Sequence, residues 1–249
     1  MCGMLLFCGI RCSNRNCSTA ELMTSLLAIE ASTEACSVAL LHNGRQREDF
    51  RLLPRAHTRY LLPMVDQILS EEGIRLSDVD AIGFSAGPGS FTGLRVCAGI
   101  VQGLAFSVDR PVVAVSTLQA IAQGEADQLQ VNEGDVLLPA LDARMDEVYW
   151  GEYCYQSGFA EPLAADSLRA PESIEVLANS SEIFGFGSGW LYASRFRQAS
   201  PLKSVNTDVY PRAQAVLKLA VRAYERGYYA SAELAQPVYL RESVAWQKS

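Results

Sequence analysis

The stretch Ser85-Ala-Gly-Pro-Gly-Ser-Phe-Thr-Gly-Leu-Arg95 carries more structural information than any other part of the chain. An apolar run, 79–84, leads into it, and an amphipathic run, 94–106, leads out of it. A strand, a tight glycine turn and a helix thus fit into about 28 residues, the kind of unit that brings backbone N–H groups to a helix N-terminus. Gly87 and Gly89 permit a positive φ or a close backbone approach, Pro88 fixes one φ, and Ser90 or Thr92 is placed to cap the helix. Two interpretations stand side by side: a cradle for an anion or phosphate, and a turn before a packing helix. A P-loop would need a Lys after its last Gly, and none is present. Gly87, Gly89 and Gly93 read G-x-G-x-x-x-G, not the dinucleotide fingerprint, and the next strand, 111–115, ends in Ser116-Thr117 without a carboxylate. A dehydrogenase is therefore disfavoured.

Outward from this unit, the strand and helix signals alternate. An apolar strand at 25–30 ends in Glu30. A second strand follows at 36–41, a hairpin turn at His42-Asn43-Gly44, and a third strand at 45–53 that Pro54 breaks. Leu61, Leu62, Val65, Ile68 and Leu69 recur at helical spacing through a helix at 57–72 that Gly73 ends. The helix after the glycine turn carries Gly93, Ala98, Gly99 and Gly103. Each Gly there lowers helix propensity by ~1 kcal/mol, which makes sense where another helix approaches closely. A strand at 111–115 and a helix at 117–123 complete a βββαβαβα half. A polar break near Asn132-Glu-Gly134 opens a second half. It holds strands at 137–141 and 147–154, a loop-rich stretch, a strand at 182–186 with Gly185, Gly187 and Gly189, a helix at 211–226 and a last short strand at 237–240. No internal repeat is visible in the sequence. The order predicts an α/β fold with domains at 23–128 and 129–249, the last helix packing back on the first lobe.

The chain has 249 residues, 49% of them apolar and 20% charged, enough for a sizeable core. No apolar run approaches the ~18–20 residues that span a membrane. The net charge is −7, and the densest basic set, Arg45, Arg47, Arg51, Arg55 and Arg59, is interleaved with Glu48 and Asp49 as on a solvated face. Contact with nucleic acid is then expected to be indirect, shared with a partner. Cys36, Cys97 and Cys154 sit singly in apolar runs and read as reduced, buried thiols of a cytoplasmic protein. Cys2, Cys8, Cys12 and Cys17 are spaced C-x5-C-x3-C-x4-C, without a zinc knuckle. Residues 1–22 make a poor signal peptide and match nothing that follows; they are expected to be an upstream extension ahead of a native start at Met23.

Catalytic equipment is sparse. His42 lies in a turn, and His57 opens a helix, where a cap or an interface role suits it best. There is no helical His pair and no G-x-S-x-G elbow. Asp142, Asp146 and Glu147 suit a hairpin tip countered by Arg144, with a metal or acid–base site as the alternative. Glu30 is the most interesting lone carboxylate, since a strand end in such a start faces the cleft where phosphates lie. No second carboxylate completes a phosphoryl-transfer site.

Several stretches together resemble the TsaB (YeaZ) family, bacterial members of the actin/sugar-kinase/Hsp70 (ASKHA) superfamily. They are Leu26-Leu-Ala-Ile-Glu-Ala-Ser-Thr-Glu-Ala-Cys-Ser-Val-Ala-Leu40, His57-Thr-Arg-Tyr-Leu-Leu-Pro-Met-Val65, Gly87-Pro-Gly-Ser-Phe-Thr-Gly-Leu-Arg95, Leu141-Asp-Ala-Arg-Met-Asp-Glu-Val-Tyr149 and the tail Gln236-Pro-Val-Tyr-Leu-Arg-Glu-Ser-Val-Ala-Trp246. The resemblance implies two ribonuclease-H-like lobes, the second reduced. It implies a non-catalytic subunit that pairs with the paralogue TsaD and the ATPase TsaE to install threonylcarbamoyl on the adenosine 3′ of the anticodon in tRNAs reading ANN codons. ATP and the metal belong to those partners. The paralogue holds its metal through paired histidines; here His57 stands alone and Leu61 occupies the second position. By the same resemblance, the first two helices form the surface for TsaD, or for a second copy when the chain is alone, with His57, Leu61, Val65, Ile68, Gly93, Ile100 and Gly103 as interface residues. Glu30, Ser32, Gly87 and Gly89 would be a vestigial phosphate loop, and Gly185, Gly187 and Gly189 the remnant of the adenosine-binding glycines. The alternatives are an autonomous kinase-like enzyme using Glu30 and the Gly87–Gly89 loop, and a metallopeptidase, for which ligands are lacking.

Overall fold

A computed structural model describes residues 24–54, 56–176 and 181–241. The proposed extension at 1–22, its four cysteines and the end of the tail lie outside these residues.

The first lobe is a five-stranded sheet: β1 Leu26–Glu30, β2 Ala35–His42, β3 Arg45–Leu52, β4 Ala81–Gly87 and β5 Val112–Ser116. Its order is β3-β2-β1-β4-β5, with β1, β2 and β3 antiparallel in sequence and β4 and β5 parallel to β1. The β2–β3 turn is tight because Asn43 and Gly44 both take positive φ, 50° and 72°. Alternation splits the side chains between two faces. Leu27, Ile29, Val38, Ile82 and Phe84 meet α1 His57–Glu72 and α2 Phe91–Ser107 on one face. Leu26, Ala28, Ala39, Ala81 and Val113 meet α4 Ala213–Glu225 on the other. Gly83 sets that second distance: a methyl built on it would lie 2.6 Å from the Ala220 Cβ.

The second lobe contains β6 Val136–Arg144, β7 Glu147–Trp150, β8 Tyr153–Gln156, β9 Phe159–Pro162, β10 Ser167–Arg169, β11 Glu175–Val176, β12 Ile183–Phe186, β13 Arg197–Gln198 and β14 Ser204–Asn206. Its main sheet runs β10-β7-β6-β12-β14. β7 is antiparallel to β6 and β10 to β7, while β12 is parallel to β6 and β14 to β12. This is the strand order and sense of the first lobe over again, so two ribonuclease-H-like lobes stand where the sequence shows no repeat. The second is reduced: its helical cover comes from α3 Thr117–Ala126 and the 3-10 turn Ser188–Arg195. Leu118, Ile121, Ala122 and Ala126 of α3 join the core of Leu137, Tyr153, Phe184 and Phe186. The lobes thus exchange helices, α3 covering the second sheet and α4 the first.

Two expected strands are corrected. The run 147–154 is two strands, because the chain kinks at Gly151, where a methyl would meet the Tyr153 ring at 2.7 Å. The kink lets β7 pair with residues 140–144 of β6 and β8 with Val136 and Leu137. The tail 237–240 is not a strand: β1 ends its pairing with β4 at Phe84, and beyond it Val238 makes a single ladder-like bond, from its N–H to the Ala86 carbonyl at 2.7 Å.

Candidate functional site

The helices α1 and α2 lie side by side on the first sheet, and each divides sharply into an inner and an outer face. Of the seven residues expected at an interface, Leu61, Val65 and Ile68 are on the inner face, buried in the core of the lobe. That placement is a correction. An apolar stripe at helical spacing serves first to bury the helix on its own sheet, and the same stripe cannot also meet a partner. Gly93 is spent in the same way, since a methyl there would lie 2.1 Å from the Ala31 carbonyl oxygen. His57 is half-buried and donates from Nε2 to the Ala35 carbonyl at 3.2 Å. Ile100 is half-buried and Gly103 exposed on the outer face. Gly103 and Gly99, one turn apart, have nothing within 4 Å of a methyl built on either. The same two helices expose further apolar side chains: Leu62, which the sequence reading counted with the apolar stripe, is 48% exposed, Phe91 53% and Phe106 71%.

The first glycine turn is filled by the chain itself. Ser90 caps α2, its Oγ accepting from the Gly93 N–H at 3.4 Å. The Ser90 N–H donates to the Ser32 carbonyl at 2.6 Å. A methyl on Gly89 would sit 2.4 Å from that same oxygen, and one on Gly87 2.5 Å from the Val238 carbonyl oxygen. The close approach that these glycines permit is therefore to the β1–β2 loop and to the tail. Glu30 ends β1 with no exposed surface, and does not face an open cleft. Its Oε1 accepts from the Ser32 N–H at 2.6 Å and the Ser32 Oγ at 2.5 Å. Burial pushes the carboxyl above the usual range; the Ser32 bonds oppose this, as does the nearby Ser85 hydroxyl, which lies outside hydrogen-bond geometry. Glu30 Oε2 has no hydrogen-bond partner.

The second glycine turn is filled in the same manner. A methyl on Gly185 would lie 2.5 Å from the Trp190 ring, and one on Gly189 2.7 Å from Ala140 and Val148. Trp190 packs with Trp150 and Phe196 at centroid distances of 5.6 and 5.4 Å, and its Nε1 donates to the Leu138 carbonyl. The acidic cluster is dispersed: Asp142 pairs with Arg144, Asp146 with Arg195 and Glu147 with Arg241. Among the described residues, no three His, Cys, Asp or Glu side chains gather as a metal-holding group, and no helix is long and apolar enough to cross a membrane. Cys36 and Cys97 are buried, and burial, with the Glu30 carboxylate adding to it, pushes the Cys36 thiol up to about 12. A polar cluster missed from sequence joins the lobes. Asp166 accepts from Ser116 Oγ at 2.5 Å and from the Tyr153 hydroxyl at 2.6 Å, with burial raising both the Asp166 and the Tyr153 pKa.

Comparison with known proteins places this geometry in a family. A family model described as TsaD, tRNA N6-adenosine threonylcarbamoyltransferase, matches residues 51–186. The chain is 39% identical to the tRNA threonylcarbamoyladenosine biosynthesis protein TsaB of Haemophilus influenzae, over 90% of this chain and 96% of that one. It is 40% identical to the protein of the same name from Escherichia coli, over 90% and 97%. The solved structure of YeaZ from Pseudomonas aeruginosa superposes with a TM-score of 0.83 at 44% identity, covering 88% of this chain and all of that one. A match of this depth over nearly whole chains places the chain in the TsaB (YeaZ) family.

Proposed function

We propose that the chain acts in tRNA threonylcarbamoyladenosine biosynthesis as a non-catalytic activating subunit. It docks the outer faces of α1 and α2 on the corresponding helices of a TsaD transferase, in a complex that TsaE joins. The observation that carries this reading is the open stripe at Gly99 and Gly103 on α2, with Leu62 of α1 and Phe91 and Phe106 of α2 also exposed. Two helices pack at 8–10 Å depending on the side chains between them, and glycines one turn apart bring a second helix to the short end of that range. Both glycine turns are filled by the chain's own residues, which supports assigning ATP and metal chemistry to the partner subunits. With a net charge of −7, the chain meets tRNA through its partner. In the absence of TsaD the same face pairs two copies. The working compartment is the cytoplasm, consistent with buried free thiols at Cys36 and Cys97.

The test is a drop-out assay. TsaD, TsaE, ATP, threonylcarbamoyl-adenylate and unmodified tRNA are combined with and without the chain, and modified adenosine is counted by mass spectrometry. Multiple turnover only with the chain present, and no product from the chain and adenylate alone, is the expected result. Equal modification without it would overturn the reading.

A further inference from the structure

We infer that the segment 235–241 is a strap that locks the two lobes in one relative position, with Arg241 as its fastening. This goes beyond partner docking and does not depend on it. After α4 the chain returns along α2, where Ala232 and Ala235 are buried in the core of the first lobe. It then crosses the end of β4. The Val238 N–H donates to the Ala86 carbonyl at 2.7 Å, and the Val238 carbonyl lies over Gly87 so closely that no side chain fits there. Tyr239 packs at a tilt against Phe91, ring centroids 5.6 Å apart, and its hydroxyl accepts from Arg95 Nε at 2.9 Å, while the Arg95 guanidinium sits 3.8 Å over the Phe91 ring. Two residues later the strap reaches the second lobe. Arg241, its side chain only 17% exposed, pairs with Glu147 and donates to the Arg144 carbonyl at 3.3 Å, with Met145 Sδ at 3.1 Å.

The hairpin tip it grips is a strained element. Arg144, Met145 and Asp146 take φ of 62°, 54° and 64° in succession, and the register between β6 and β7 shifts at this point. Non-glycine residues hold such a backbone only where their surroundings over-determine it. Three ties do so here: Arg144 to Asp142, Arg195 to Asp146, and the strap's Arg241 to Glu147. The third is the one that comes from a segment seated on the other lobe. The tip of the second lobe and the glycine turn of the first are therefore mechanically coupled through seven residues of chain.

Hydrogen exchange measured by mass spectrometry on the full chain tests the strap, with no partner protein present. Arg241→Ala and Glu147→Gln each remove a charge-assisted pair. Each is expected to speed exchange about tenfold in peptides covering the tip at 142–150 and also the glycine turn at 86–94. β1 and β2 should keep their protection, which also establishes that the variants are folded. Arg241→Lys should restore part of the protection. The decisive variant is Tyr239→Ala, which touches only the first lobe: faster exchange at the second lobe's tip is expected. Acceleration confined in every variant to the lobe that was altered would overturn the strap and leave Arg241 as a local surface pair.

Discussion

Glu30 illustrates how a residue's neighbours reassign its chemistry. As a carboxylate at the end of β1 it invites comparison with a phosphate-site acid, yet it is fully buried and bonded to the Ser32 N–H and hydroxyl. Its carboxyl titrates above the ordinary value of 4.5 because burial disfavours the charge. The folded chain thus holds this proton more tightly than the unfolded one. The contribution is fully present below pH 4.5 and is lost as pH rises through the folded value. Glu30→Gln, which keeps the acceptor and cannot ionise, should therefore leave stability unchanged near pH 4 and raise it increasingly toward pH 8. Urea melts at the two pH values check this; identical pH slopes for the two proteins would contradict it. The glycines supply a second contrast at this scale. Gly93→Ala forces a methyl against a backbone oxygen and should cost about 1–3 kcal/mol. Gly103→Ala meets open space and should gain roughly 0.5–1 kcal/mol from helix propensity. Thermal melts of the pair would show opposite signs.

Among the elements, α1 and α2 decide what the surface offers. The stripe of Leu61, Val65 and Ile68 was expected to meet a partner and is core instead. Leu61→Ala should thus cost about 2–5 kcal/mol of stability, read in a denaturant melt. Any loss of partner binding should follow the unfolded fraction. Gly103→Asp reverses the pattern: the melting temperature stays close to that of the parent, and co-purification with TsaD is lost. A variant that melts normally and still binds TsaD would refute the outer-face assignment. The extents of these helices were legible from periodicity and from Gly73, and the structure starts and ends α1 at the residues that the sequence predicts. Which face meets the sheet was less legible, since Leu62 reads as part of the same apolar set and only the observed packing puts it outside.

For the whole molecule, the exchange of helices matters most. α3 completes the core of the second lobe and α4 covers the sheet of the first, while Ser116, Tyr153 and Asp166 join the two by hydrogen bonds. Neither lobe keeps its core if the other unfolds. Equilibrium unfolding should therefore be a single transition, with the fluorescence of Trp150 and Trp190 in the second lobe, read in a Trp246→Phe background, coinciding with far-UV circular dichroism. Two separated transitions would show that the lobes are independent. The doubled strand order belongs to the same scale. It leaves no trace as a sequence repeat because strand order is fixed by hydrogen-bonded pairing, which many side-chain sets can satisfy.

Legible in the chain alone were the local elements of the first lobe, the hairpin at Asn43-Gly44, a cap at Ser90 or Thr92 and the family, through motifs such as the Gly87–Arg95 run. These depend on backbone conformation and on periodicity, which are properties of short segments. Packing was needed to show that Ser90 is the cap, what the glycines approach, that Glu30 is closed off from solvent, that residues 147–154 divide at Gly151, and that the tail lies across both lobes. Those outcomes depend on which distant segment fills a given space, and a close contact between residues such as Gly87 and Val238 exists only once the chain has packed.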